Sequence, residues 1–190
     1  ESITSKAERD VTLNEKVSFG FGAEYKYDWG NYKTLTFTSQ TKGHLKNFGT
    51  FVNSGYKFND NQSLSLHVRN DDHKETGGNQ TYKVNLNQTI GKFTAKLSHS
   101  TGLKNPSLYE LYGSSSFSKG TTGLNAEKSE TNELLAKYNF SENFKIESTV
   151  YRTRMKDRIK INSSWTAYEN KILDTTQEGL ENEIIFGNEN

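Results

Sequence analysis

Apolar and polar residues alternate one for one through much of the chain. Val17, Phe19, Phe21, Ala23, Tyr25 and Tyr27 sit two apart, separated by Ser18, Gly20, Gly22, Glu24 and Lys26. The same period sets Leu64, Leu66 and Val68 against Ser65 and His67, and Tyr82, Val84 and Leu86 against Lys83 and Asn85. It recurs in Phe93, Ala95 and Leu97, in Leu134, Ala136, Tyr138 and Phe140 (Leu135 is the exception), and in Ile146, Ser148 and Val150. A period of two places alternate side chains on opposite faces of a strand. No segment carries a helical stripe of comparable length. The pattern predicts about nine strands, at 1–10, 16–27, 46–58, 63–72, 80–90, 93–101, 129–140, 144–161 and 168–186. Leu35 and Phe37 predict a further β extension.

Turn signals separate these runs asymmetrically. Short ones stand at Asn59-Asp60-Asn61-Gln62, Gly91-Lys92 and Ser141-Glu142-Asn143, while long connections are expected at 28–45, 71–79 and 102–128. Short and long connections in alternation fit an up-and-down barrel with tight turns at one rim and long loops at the other. One hairpin recurs. Tyr56-Lys57-Phe58 and Tyr138-Asn139-Phe140 each lead into a turn carrying an acid followed by asparagine. Two aromatics beside a tight turn suit a membrane-interface girdle, and a cross-strand aromatic pair in a soluble sheet is the plainer alternative. Tyr25, Tyr27, Trp29 and Tyr32 would form the opposite girdle.

Alternation alone does not separate a soluble sandwich from a membrane barrel. Strand length helps, because a tilted spanning strand needs about 9–11 residues and globular strands average about 5–6. Segments 16–27 and 46–58 suit the longer class. Composition points the same way. Hydrophobic residues make up only 31%, yet there are 11 Phe and 10 Tyr, too many rings for a disordered chain. The single proline, Pro106, fits long ladders, to which proline cannot donate. The fold class expected is therefore all-β, an antiparallel up-and-down transmembrane β-barrel. The rival is a secreted β-sandwich adhesin or binding module, or an autotransporter barrel.

Charge and chemistry exclude several functions. The formal net charge is +1 and basic residues are dispersed among acids, which argues against a nucleic-acid partner. The absence of cysteine removes disulfides, thiol catalysis and Cys-ligated zinc. No hydrolase-like constellation occurs, Gly77-Gly78 lacks the helix a phosphate loop needs, and no cofactor is implied, so the chain is read as a non-enzyme. Asp71, Asp72 and His73, with Glu75 nearby, are weak candidates for a divalent cation, against the commoner solvated loop. Arg152, Arg154, Lys156, Arg158 and Lys160 alternate along one predicted strand, where they would meet lipopolysaccharide phosphates or simply face water. The start, Glu1-Ser2-Ile3-Thr4, has no signal-peptide pattern. With an odd strand count, this leads to the expectation of a barrel fragment cut at both ends.

Residues 105–113 read Asn105-Pro106-Ser107-Leu108-Tyr109-Glu110-Leu111-Tyr112-Gly113. Gly123-Leu124-Asn125-Ala126-Glu127-Lys128-Ser129-Glu130 follows, then a Tyr-x-Phe hairpin, then Glu178-Gly179-Leu180-Glu181. This ordered set, over about 100–187, resembles the mid-barrel of TonB-dependent outer-membrane receptors. Asn105, the missing prolines of the second motif and Glu178 depart from that family's usual residues. The resemblance implies that 1–190 is a partial receptor barrel, monomeric in the full-length protein, from a larger barrel of about 22 strands with a plug inside. The plug domain and C-terminal strands would lie outside this chain. It implies an integral protein of the Gram-negative outer membrane, in contact with lipid and lipopolysaccharide. It further implies uptake of a scarce nutrient, cobalamin or a ferric siderophore, captured at the outer mouth and imported through the TonB complex acting on the plug. The motif order resembles the vitamin B12 branch. Pro106 should pre-set a corner, with Leu108, Leu111 and Tyr112 packing inward at helical spacing. Tyr109, Glu110 and Tyr112 are the candidate ligand contacts, against a purely structural corner.

Overall fold

In the computed structural model, which describes residues 1–33, 40–115 and 118–187, nine strands form one antiparallel sheet. They are β1 (Ser2–Thr12), β2 (Val17–Lys33), β3 (Gln40–Asn59), β4 (Gln62–His73), β5 (Gly77–Ile90), β6 (Phe93–Lys104), β7 (Glu127–Ser141), β8 (Phe144–Lys156) and β11 (Thr175–Phe186). Each pairs with its neighbour in sequence, except that β8 pairs with β11 across a short separate hairpin of β9 (Ile159–Ile161) and β10 (Tyr168–Asn170). A five-residue helix, α1 (Leu108–Tyr112), lies between β6 and β7. The nine sheet strands run from 11 to 20 residues, long enough to span a bilayer at a tilt.

The register turns local alternation into a continuous surface. Residues directly opposite on antiparallel strands share a face. Val17, Tyr56, Leu64, Leu86, Leu97, Leu134, Val150 and Leu180 form one unbroken row across eight strands. A second row runs Phe21, Val52, Val68 and Tyr82, and a third, nearer the tight turns, runs Ile90, Phe93, Tyr138, Ile146 and Ile184. Phe19 and Ala136 share this face. Leu97 is 59% and Val150 53% exposed, and no second sheet of described residues covers them. A β-sandwich would bury this face. An uncovered apolar belt of this extent has the pattern expected for the outward face of a membrane barrel.

The opposite face is polar and bonded to itself. Asn85 Nδ2 donates to Ser65 Oγ at 3.0 Å, and Ser98 Oγ donates to Asn85 Oδ1 at 2.9 Å. The Thr131 and Thr153 hydroxyls pair at 2.9 Å, and His67 pairs with Asn53. At the tight-turn rim the repeated hairpin takes the same geometry twice. Tyr56 and Phe58 pack edge-on at 4.9 Å, and Tyr138 and Phe140 do so at 4.7 Å. Both ladders shift register at that point, between Lys57 and Asn59 and between Asn139 and Ser141. Phe144 and Phe186 extend the ring cluster. Gly91, at φ +58°, makes the intervening turn in a conformation that favours glycine.

Three expectations are corrected. The loop expected at 28–45 is largely strand, because β2 and β3 pair from Val17–Tyr56 out to Lys33–Gln40; Leu35 and Phe37 lie outside the described residues. The loop expected at 71–79 is only a three-residue connection, Lys74, Glu75 and Thr76, between β4 and β5. The strands expected at 144–161 and 168–186 are each interrupted. Asp157 takes φ 53°, which ends β8 and starts the β9–β10 hairpin.

Candidate functional site

The rim opposite the tight turns carries the β4–β5 turn, the α1 segment and the β9–β10 hairpin. Pro106 is fully buried and directs the chain into α1. The helix begins with a reciprocal cap: Glu110 N donates to Ser107 Oγ, and Ser107 N donates to Glu110 Oε2 at 2.7 Å. Leu111, 1% exposed, packs with Leu45 of β3 and Leu124, and Leu108, Tyr112, Ile159 and Tyr168 surround them. The expected inward packing of Leu108, Leu111 and Tyr112 is therefore what holds the segment down. A Cβ on Gly43 would collide with the Tyr112 ring, so glycine at this point of β3 gives α1 its seat. Leu45 and Gly43 sit in the phase of the polar face, so the loop folds over the mouth on that side.

The three candidate contacts fare differently. Glu110 spends its carboxylate on the cap and stands 3.6 Å from Lys104 Nζ. Tyr112 donates its hydroxyl to Glu75 Oε1 at 2.7 Å, bolting α1 to the β4–β5 turn. That bond holds the Glu75 carboxyl below its ordinary range, while burial first and then Glu75 push the Tyr112 phenol up to about 12. Tyr109 is 39% exposed. It stands edge-on to Tyr32 at 5.6 Å and to Tyr168 at 6.2 Å, so three rings from β2, α1 and β10 cluster at the rim. Burial, then Tyr109 and Glu110, raise the Tyr168 phenol. Beneath the loop a recess of about 600 Å³ is lined by Lys26, Asp28, Asn47 and His73 of the polar face together with Pro106 and Leu108.

The sequence does not mark Tyr32 or Tyr168 as a contact. The sequence expectation places Tyr32 in an interface girdle, but it lies one position out of phase with Tyr25, Tyr27 and Trp29 and so points to the other face. Glu75 gave no sequence signal as the partner of Tyr112. Alternation also separates the acidic run. Asp71 and His73 face the polar side while Asp72 lies opposite Phe48 on the apolar face. Asp71 is held by Arg69 at 2.8 Å and by Asn47 at 2.7 Å, and His73 Nδ1 accepts from the amides of Glu75 and Thr76. Among the described residues no cluster suited to a metal ion forms. The basic row is also divided: Arg152, Arg154 and Lys156 stay on β8, whereas Arg158 and Lys160 lie beyond Asp157. Arg152 pairs with Glu178, Arg154 with Asp174 and Lys160 with Glu169.

Comparison with known proteins gives concordant results. The family model described as "TonB dependent receptor-like, beta-barrel" matches residues 3–183. The vitamin B12 transporter BtuB of Vibrio cholerae serotype O1 is 30% identical over 119 residues, covering 62% of this chain and 19% of that protein. Among solved structures, the siderophore receptor PirA from Pseudomonas aeruginosa superposes with a TM-score of 0.82 at 21% identity, over 96% of this chain and 36% of that one. The FrpB iron transporter from Neisseria meningitidis does so at 0.75 and 14% identity, over 97% and 34%. This chain thus spans about a fifth of the curated relatives and about a third of the structural ones.

Proposed function

The chain belongs to the TonB-dependent receptor-like β-barrel family, whose members are outer-membrane receptors and transporters rather than enzymes, and on that premise we propose that it forms part of the wall and outer mouth of a nutrient-uptake receptor. The remaining strands and a lumenal plug would be supplied by the rest of the reading frame. The plug would take energy from the inner-membrane TonB complex, and the tight-turn rim would face the periplasm. The observation that carries this is the belt of apolar rows on one face, set against a self-bonded polar face over which α1 folds.

The ligand we assign is cobalamin. The 30%-identical relatives are vitamin B12 transporters, whereas the siderophore receptors are alike in fold alone. Tyr109, flanked by Tyr32 and Tyr168, offers flat apolar area with hydroxyls at its margin, which suits a corrin ring. Glu110 and Tyr112 support it by fixing α1. A ferric catecholate would fit the same rings, and one experiment separates the two. The native reading frame is purified in detergent and titrated with cyanocobalamin and with ferric enterobactin, as wild type and as Tyr109→Ala. Cyanocobalamin binding that weakens in a Tyr109→Ala protein that stays folded and monodisperse supports the assignment. Binding of ferric enterobactin alone transfers it to siderophores, and binding of neither refutes it.

A further inference from the structure

The ladder between β5 and β6 stops short of the outer rim. Pairing runs from Ile90–Phe93 to Lys83–Ser100 and no further, although β5 continues back to Gly77 and β6 on to Lys104. At the break, the Tyr82 amide donates to the Thr101 side chain at 2.9 Å instead of to a backbone carbonyl. The Tyr82 amide thus points toward β6, and the two-residue repeat aims those of Gln80 and Gly78 the same way, with no opposing strand. Above, Thr76 Oγ1 donates to Asn105 Oδ1 at 2.8 Å and closes the top. The result is a window of about 380 Å³ in the sheet, closed at both ends and lined by exposed strand edges.

Its rim on the apolar-face side is basic. Lys128 and Lys156 are directly opposed across β7 and β8 in the row that includes Leu103, and neither has an ion-pair partner among the described residues. Like charges directly opposite are unfavourable unless an anion lies between them. The neighbouring row balances itself, since Arg154 stands opposite Glu130 and is held by Asp174 at 2.6 Å. The unneutralised charge is the lysine pair.

We propose that this window binds the phosphate-bearing headgroup of an outer-leaflet lipid, with Lys128 and Lys156 neutralising the phosphate and the free amides of Gly78 and Gln80 donating to its oxygens. The occupant is a lipid rather than a free ion because the lysines lie on the face that carries the belt, in the same phase as Leu97 and Leu134 below them. The inference rests on the proposed membrane setting of that face.

The test uses the native reading frame in detergent, with diphosphoryl lipid A as probe and binding read by native mass spectrometry. Removing both charges in Lys128→Gln/Lys156→Gln should weaken retention about thirtyfold, and each single change about fivefold. Fully dephosphorylated lipid A should bind the wild type no more tightly than diphosphoryl lipid A binds the double variant. Lys137→Gln, on the polar face beside Glu147, should change nothing. Unchanged retention in the folded single variants overturns the proposal. So does full displacement of the lipid by inorganic phosphate at equal concentration, which would make the site one for free anions. A protein that inserts into lipid yet fails these tests loses only this site, whereas one that never inserts loses the membrane reading itself.

Discussion

Replacing Leu86 with arginine sets a charge at the centre of the apolar belt. On β5 the apolar-face positions are Tyr82, Val84, Leu86, Gln88 and Ile90, so Leu86 is the middle of five. At about 3.3 Å per residue and about 40° of tilt, it lies about 10 Å from either margin. Its cross-strand neighbours, Leu64 and Leu97, offer no counter-charge. A lipid-facing arginine at that depth should cost about 2–4 kcal/mol. Gln80→Arg is the matched control, on the same strand and face but beyond the belt, where the cost should be about 0–1 kcal/mol. Gln80 gives up only an exposed 3.1 Å bond to Asn70. The assay is equilibrium denaturant unfolding of the native reading frame in lipid vesicles, comparing midpoints at constant slope. Equal costs at the two positions would refute the assignment of this face to lipid.

Other consequences are measurable at the outer rim. Tyr112→Phe removes a charge-assisted bond and should loosen α1, read as faster proteolysis between β6 and β7 with an intact barrel. Because Glu75 is held low in the folded state, its contribution is present at neutral pH and lost as pH falls through the lowered value. Protection of α1 should therefore fade only below the ordinary carboxylate range in the wild type, and should lose that acid step in Tyr112→Phe. Gly43→Val fills the seat of the Tyr112 ring and should release α1 even at neutral pH, as judged by the same digestion. The chain alone in plain buffer should aggregate, since β1 and β11 each leave one edge unpaired and the belt uncovered; a monodisperse monomer in light scattering would contradict this.

Alternation is a local signal, which is why the sheet was legible. Phe19 to Tyr27 or Leu134 to Phe140 state their own phase without reference to partners, and register then joins the phases into rows. The α1 corner was legible for the same reason, from Pro106 and the spacing of Leu108, Leu111 and Tyr112. Breaks that preserve the period were not. Asp157 turns the chain by a positive φ while Met155 and Ile159 stay in phase, so the pattern reads as one strand where two exist. The parting of β6 from β5 is equally silent, because Leu97, His99, Thr101 and Leu103 keep their spacing of two whether or not β5 stands beside them, and β7 pairs with them throughout. The rim contacts were hidden by distance along the chain. Tyr32, Tyr109 and Tyr168 come together only when β2, α1 and β10 fold to one place, and Glu75 meets Tyr112 from another turn.

The facing of β5 decides the central claim. This chain has no cysteine, so in the native reading frame, with any cysteine elsewhere replaced by serine, single cysteines at positions 80 to 90 can each carry one spin label without background. In lipid vesicles, the labels' collision rates with oxygen and with a water-soluble nickel chelate should alternate with a period of two. Oxygen accessibility should peak at Tyr82, Val84, Leu86, Gln88 and Ile90, and nickel accessibility at Lys83, Asn85, Asn87 and Thr89, with the oxygen excess greatest near Leu86. Nickel access equal on both faces, or no alternation at all, would contradict a lipid-facing barrel wall.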